Sequence, residues 1–191
     1  MELQKINVKF FVADPERVHL EEFINVFNTW IQSSNGEFYD VADYSHVHDG
    51  PGIVLVAHEA NVSIDGTGGR LGLLYNRKQP LSGTNRERLR FVFRSALENC
   101  RKLEQDSALR GRLSFLGNEA TLLINDRLIA PNTEEVFEEV RPDIQALAQS
   151  LYQGADVTLE RGQDPRERFN VAIKSTRPFD LLTVLKNLDT Q

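Results

Sequence analysis

The chain predicts an α+β fold, a single, largely antiparallel sheet of about seven to nine strands with three main helices packed on one face. Three observations carry this reading. Strand-like and helix-like patterns alternate along all 191 residues, with no Ser/Gly tract, Pro-rich stretch or low-complexity linker between them. Most consecutive strands are joined by connectors too short for a parallel crossover, which needs a dozen or more residues. Each helical segment has one apolar stripe, and so one face to bury.

The first strand covers 5–13. Asp14-Pro15 then opens a helix, with Asp14 as N-cap and Pro15 at the first helical position, where its missing N–H is harmless. Leu20, Phe23, Phe27, Trp30 and Ile31 form its stripe, and Ser33-Ser34-Asn35-Gly36 ends it. Segments 37–48 and 53–59 read as a hairpin around Asp49-Gly50-Pro51-Gly52, a set of residues that turns favour. Ile53-Val54-Leu55-Val56-Ala57 is apolar at every position, which places that strand centrally with both faces covered. A short strand at 61–65, a break at Gly66-Thr67-Gly68-Gly69 and a strand at 71–78 follow.

Thr84-Asn85-Arg86-Glu87 is a capping box, in which the Thr hydroxyl and Glu carboxylate satisfy orphan backbone donors. The helix it opens runs to about residue 106, with Leu89, Phe93, Ala96, Cys100 and Leu103 inward. Segments 112–116 and 120–125 read as a second hairpin around Gly117-Asn118. A third helix starts at 132 or 133 and ends at 154, with Val136, Phe137, Val140, Ile144, Leu147 and Leu151 inside. Pro142 predicts a kink or restart there. Strands at 157–160 and 169–174 and a short terminal helix at 178–188 close the chain. The order reads as β-α-β-β units in succession, all within one domain spanning 1–191.

Composition narrows the function classes. The 40% apolar and 26% charged content is that of a globular domain. Its one cysteine, Cys100, excludes an internal disulfide and sits at a core spacing. The N-terminal residues hold Glu2, Lys5 and Lys9 with no signal-peptide core, and no apolar run reaches membrane-span length. These features point to a soluble cytoplasmic protein with no membrane contact. The net charge of −6 disfavours nucleic acid as the main partner. That charge is segregated, because 70–112 carries eleven basic and four acidic side chains, leaving −13 on the remainder.

Two functional readings follow. The favoured one is a non-catalytic interaction domain that takes an acidic protein partner on a basic helix face. Arg86, Arg90 and Arg94 are four apart and share that face, with Arg70 and Arg77 preceding it. Guanidinium rows suit carboxylates and phosphates. The competing explanation is internal, since Glu134, Glu135, Glu138, Glu139 and Asp143 give the third helix an acidic face of matching length.

The alternative is a small enzyme or metal-binding protein centred on the first hairpin. There His46 and His48 lie two apart and share a strand face, with Tyr44, Asp49 and His58 nearby. Two imidazoles and a carboxylate suit Zn or Fe, with His46 and His48 as candidate ligands, although no cofactor motif is evident. This reading needs a pocket at the hairpin end, closed by the 66–69 loop. The 66–70 glycine run itself reads as a turn, because a strand rather than a helix follows it.

Overall fold

Apolar residues at even positions put Ile6, Val8, Phe10 and Val12 on one side of the first strand, and the helices lie on that side. The computed structural model describes residues 1–190. Its strands are β1 (Ile6–Val12), β2 (Phe38–Tyr44), β3 (Gly52–Ala57), β4 (Ala60–Asp65), β5 (Gly72–Arg77), β6 (Phe115–Ile124), β7 (Val157–Arg161) and β8 (Phe169–Ser175). Its helices are α1 (Leu20–Ser33), α2 (Asn85–Gln105), α3 (Glu134–Leu151) and α4 (Leu181–Asp189). All eight strands form one antiparallel sheet in the order β2-β3-β4-β5-β1-β6-β8-β7, with β1 near its middle. The α+β architecture is the expected one.

Register aligns the apolar positions into rows. Phe10, Ala120, Ile173 and Leu159 face one another across β1, β6, β8 and β7. Above this face, α2 packs on β1 and β5, α1 on β2 and β3, α3 on β7, and α4 on β6. Phe10 meets Phe93 of α2 edge to face at 6.0 Å between centroids. Both rings are fully buried, and each such side chain contributes roughly 1.5–3 kcal/mol. Trp30 of α1 links Phe27 and Phe38 at 5.5 and 6.3 Å, which ties α1 to the edge strand. Cys100 is fully buried in α2, and that burial pushes its thiol pKa up. Among the described residues, no helix is long and apolar enough to cross a membrane.

Five local expectations are corrected. Asp14-Pro15 makes only a 3₁₀ turn over Pro15–Arg17, and the Asp14 side chain caps nothing. Helix α1 begins at Leu20, where Glu22 accepts the His19 backbone N–H at 2.9 Å. Glu22 is also gripped by Arg112 at 2.5 and 3.1 Å, and this second anchor selects the later start.

The strand expected over 37–48 stops at Tyr44. Asp43 pairs with Ile53 and accepts the Ser45 N–H at 2.8 Å, so the chain turns away and 45–51 form a loop. That loop closes on Gly52, whose φ is +63° and whose added Cβ would lie 2.0 Å from the Ile64 carbonyl oxygen. Strand β3 is not central but second from the edge. Its Ile53, Leu55 and Ala57 are buried under α1, while Val54 and Val56 are half-buried on the other face.

The hairpin expected around Gly117-Asn118 is one continuous strand, β6. Gly117 is there for close approach, since a Cβ would lie 2.2 Å from the Phe179 carbonyl oxygen in the segment leading into α4. Only one strand therefore separates α2 from α3, which breaks the run of β-α-β-β units. Helix α3 runs without interruption through Pro142.

The Arg112 guanidinium and the His19 N–H hold the Glu22 carboxyl down from its usual 4.5 to about 2. A carboxylate depressed in this way adds stability that is complete above pH 4.5 and is lost as pH falls toward 2. Urea unfolding across that range checks the pair. Arg112→Ala is expected to flatten the acid limb, and an unchanged limb would remove the pair from the account of α1.

Candidate functional site

The odd positions of β1 face away from the helices, and two of them are polar. Register places Asn7 between Asn76 and Leu123, and Lys9 between Leu74 and Thr121. Asn61 and Ser63 continue the two rows on β4, and Asn170 and Ala172 continue them on β8. All four helices lie on the other side of the sheet, yet Asn7, Lys9, Ser63 and Asp65 are buried here. Two loops, one from each end of the sheet, fold over this open face.

The first loop is the glycine run. Lys9 Nζ donates to Asp65 Oδ1 at 2.6 Å and to the Thr67 carbonyl at 2.9 Å. Asp65 in turn accepts the Thr67 N–H at 3.1 Å and the Thr67 hydroxyl at 3.0 Å. With side chains only 6% and 4% exposed, the Lys9–Asp65 pair is a buried one. The Gly68 N–H donates to Asp49 Oδ1 at 2.6 Å and the Gly66 N–H to the Gly50 carbonyl at 3.2 Å, which clasps this loop to 45–51. The Gly69 N–H returns to the Gly66 carbonyl at 3.1 Å. The backbone donors of 66–69 are thus all committed within the chain, so the run behaves as a turn and not as a phosphate cradle.

The second loop, 162–168, returns over the sheet from the opposite end. Asn132 Nδ2 holds it by donating to the Gly162 and Asp164 carbonyls, both at 2.9 Å. The Arg168 backbone is pinned by a bridge to Pro131 and by Asn170 Nδ2 on its carbonyl at 2.9 Å. Arg168 is half-buried, and its guanidinium makes no hydrogen bond or ion pair among the described residues.

Between the loops lie three adjoining cavities of about 460, 210 and 320 Å³, and Thr67 and Arg168 border all three. The largest has Tyr44, Val54, Asn61, Ser63 and Asn76 in its wall. The smallest lies over Lys9, Phe11 and Leu123. Arg127, exposed at the third, likewise has no partner among the described residues.

The hairpin candidates divide between this groove and solvent. Tyr44 and Asp49 line the largest cavity, which the 66–69 loop helps to close as that reading required. His46 and His48 are exposed in the 45–51 loop and line none of the three cavities. His58 is exposed beyond the opposite end of β3, about 20 Å of strand away. The two-histidine face expected for Zn or Fe therefore has no strand under it. Among the described residues, no three His, Cys, Asp or Glu side chains converge as metal ligands.

The arginine candidates are engaged within the chain. Arg70 grips Glu119 with two bonds, at 2.7 and 3.1 Å, and lies 3.7 Å over the Phe11 ring. Arg77 holds Glu59 at 2.5 Å. On α2, Arg86 pairs with Asp143 of α3 at 3.0 Å, Arg90 donates to the Leu188 carbonyl, and Arg94 pairs with Asp189. Two of these three thus hold the C-terminal end of α4, where cations complement the helix dipole. The acidic face of α3 contributes only Asp143 to them, because Glu134 pairs with Arg161 and Glu138 with Arg141. A cavity of about 290 Å³ between α2, α3 and α4 is bordered by Arg86 and Arg90, both already bound.

Asn7, Lys9, Asn76 and Arg168 escaped the sequence reading. A signal was present in the alternation Asn7-x-Lys9 and Asn61-x-Ser63-x-Asp65, which places polar side chains on one face of two strands. Comparison with family models, curated proteins and solved structures finds no significant match to this chain.

Removing one partner of the buried pair leaves an uncompensated charge. Asp65→Ala should cost about 3–5 kcal/mol in urea unfolding, and the double replacement Lys9→Met, Asp65→Leu should recover most of it. A cost below about 1 kcal/mol for the single change would mean that the pair does not hold the loop. Charge reversal at both Arg90 and Arg94 should lower the melting temperature by about 2–8 °C, because α4 loses two fastenings of roughly 0.5–1 kcal/mol each and gains repulsion. An unchanged melting temperature would free this face for another role.

Proposed function

We propose that this chain is a binding domain that takes a small anionic ligand in the groove across the open sheet face, with Arg168 as the anchor. One observation carries the reading. Arg168, a half-buried residue whose guanidinium has no partner among the described residues, stands where three cavities meet. A partly desolvated charge is costly unless something compensates it, and a guanidinium fork suits bidentate capture of a carboxylate or phosphate. Lys9 and Arg70 are not free for this role, since Asp65 and Glu119 neutralise them.

The reading stays non-catalytic but replaces the expected acidic protein partner on the basic helix with a small anion on the sheet. An acidic partner at Arg86, Arg90 and Arg94 would have to displace Asp143, Leu188 and Asp189. The enzyme alternative draws support from the cavity wall at Tyr44 and Asp49, but the exposed histidines give it no base there. A cytosolic setting suits the single buried cysteine.

Thermal melting against a panel of inorganic phosphate, citrate and ribose 5-phosphate tests the anchor. At about one hundred times its dissociation constant, a binding anion should stabilise the fold by about 2.7 kcal/mol, a rise of about 5–10 °C. Arg168→Ala should abolish that rise while leaving the ligand-free melting temperature within about 2 °C, since the side chain has no bond to lose. A rise that survives in Arg168→Ala, or no rise with any member of the panel, would overturn the reading.

A further inference from the structure

A residue packed between two that line the groove carries a feature that an anion alone leaves unexplained. Asn7 is fully buried, and neither its Oδ1 nor its Nδ2 has a hydrogen-bond partner. Directly opposite in register is Asn76, half-buried in the wall of the largest cavity, whose carboxamide also makes no hydrogen bond among the described residues. Asn61 continues the row, with its Oδ1 held by the Ala57 N–H at 3.3 Å and its Nδ2 left over. Side chains opposite one another on neighbouring strands are about 4.5–5.5 Å apart. Three strands thus present adjacent carboxamides on the open face, two of them wholly unspent.

From this row we infer that the ligand is a nucleoside phosphate, its base edge read by Asn76 with Asn7 behind it and its phosphate on Arg168. The inference rests on the anionic-ligand reading above and gives the ligand its other half. A carboxamide offers a donor and an acceptor side by side. A trans peptide unit carries its N–H and C=O on opposite sides, so it cannot satisfy both atoms of one carboxamide. The amide and amidine edges of nucleobases do present the two together, and Asn pairs with adenine in this bidentate manner.

The surroundings suit a planar ring. Tyr44, 43% exposed, stands in the same cavity wall, and Val54, Val56 and Leu74 give it an apolar lining. The phosphate belongs at Arg168 and not at the glycine run, whose N–H groups are committed. Arg168, two residues before Asn170 in the loop that leads into β8, borders the same cavity that Asn76 lines.

Isothermal titration of AMP, GMP, CMP, UMP and ribose 5-phosphate separates the two halves. At least one nucleotide should bind about tenfold or more tighter than ribose 5-phosphate. Asn76→Ala should erase that gap and leave ribose 5-phosphate affinity unchanged, whereas Arg168→Ala should weaken both. Asn7→Leu fills similar space without an amide and should narrow the gap, with its melting temperature showing that it is folded. Nucleotides binding no tighter than ribose 5-phosphate would overturn the base assignment and leave the anion groove standing. A gap that persists in Asn76→Ala would remove the carboxamide row as the reader. Loss of binding by every probe would overturn both readings.

Discussion

The buried pair of Lys9 and Asp65 sits on the one face of the sheet that no helix covers, and the rest of the open face is arranged around it. A lysine near the middle of a central strand has nowhere to send its ammonium group unless a carboxylate meets it and the remaining donors are filled. Asp65 and the Thr67 carbonyl do this at 2.6 and 2.9 Å. Meeting those demands draws the 66–70 loop down over the sheet, and the loop in turn brings Asp49 and the 45–51 hairpin with it. A pair of this kind is seldom a large source of net stability. Its consequence here is geometric, because it fixes where one rim of the groove stands.

The two faces of the sheet treat their charged residues in opposite ways. On the helix side nearly every arginine is a fastener: Arg86 ties α2 to α3, Arg90 and Arg94 tie α2 to the end of α4, and Arg112 holds the start of α1. Much of the positive charge in 70–112 is thereby set against acids and carbonyls from distant parts of the chain. On the open side, polar groups near the groove remain unspent, among them the Asn7 and Asn76 carboxamides and the Arg168 guanidinium. Buried polar atoms without a partner occur on both faces, Arg88 Nε and Tyr152 Oη on the helix side and the Asn7 carboxamide on the other, but those of the open face stand beside a groove, and such places suit ligands.

Fold class, strand alternation and helix faces were legible because they rest on local patterns. The Thr84–Glu87 box formed as read, and so did the α1 stripe of Phe23, Phe27 and Trp30. The failures came where distant backbone decided the matter. Gly117-Asn118 resembles a turn until Phe179 is known to cross Gly117. The all-apolar strand at 53–57 resembles a central one, but its outer face is covered by a ligand-sized hollow rather than by a helix. The histidines drew attention because imidazole is chemically versatile, and they fell in a loop because Asp43 turned the chain at Ser45. Of the candidate site, Tyr44 and Asp49 were legible through their hairpin. Asn7 and Lys9 were in view as an alternation, but only register shows that Asn76, Asp65 and Leu123 stand beside them.

The groove also has a mechanical logic. Its rims come from opposite ends of the sheet, with Thr67 in a loop after β4 and Arg168 in the loop before β8. No hydrogen bond or ion pair joins the two rims among the described residues, and both border a common set of cavities. A ligand spanning from the carboxamide row to Arg168 would add a cross-link between strands β1, β5 and β4 and the loop before β8. The unpaired amide and guanidinium are costs in the empty protein, and they become contacts in the filled one. The preference of such a site for a ligand therefore comes less from the area it buries than from polar groups that have no alternative partner, which is the arrangement that discriminates most sharply between a molecule with the matching edge and one without it.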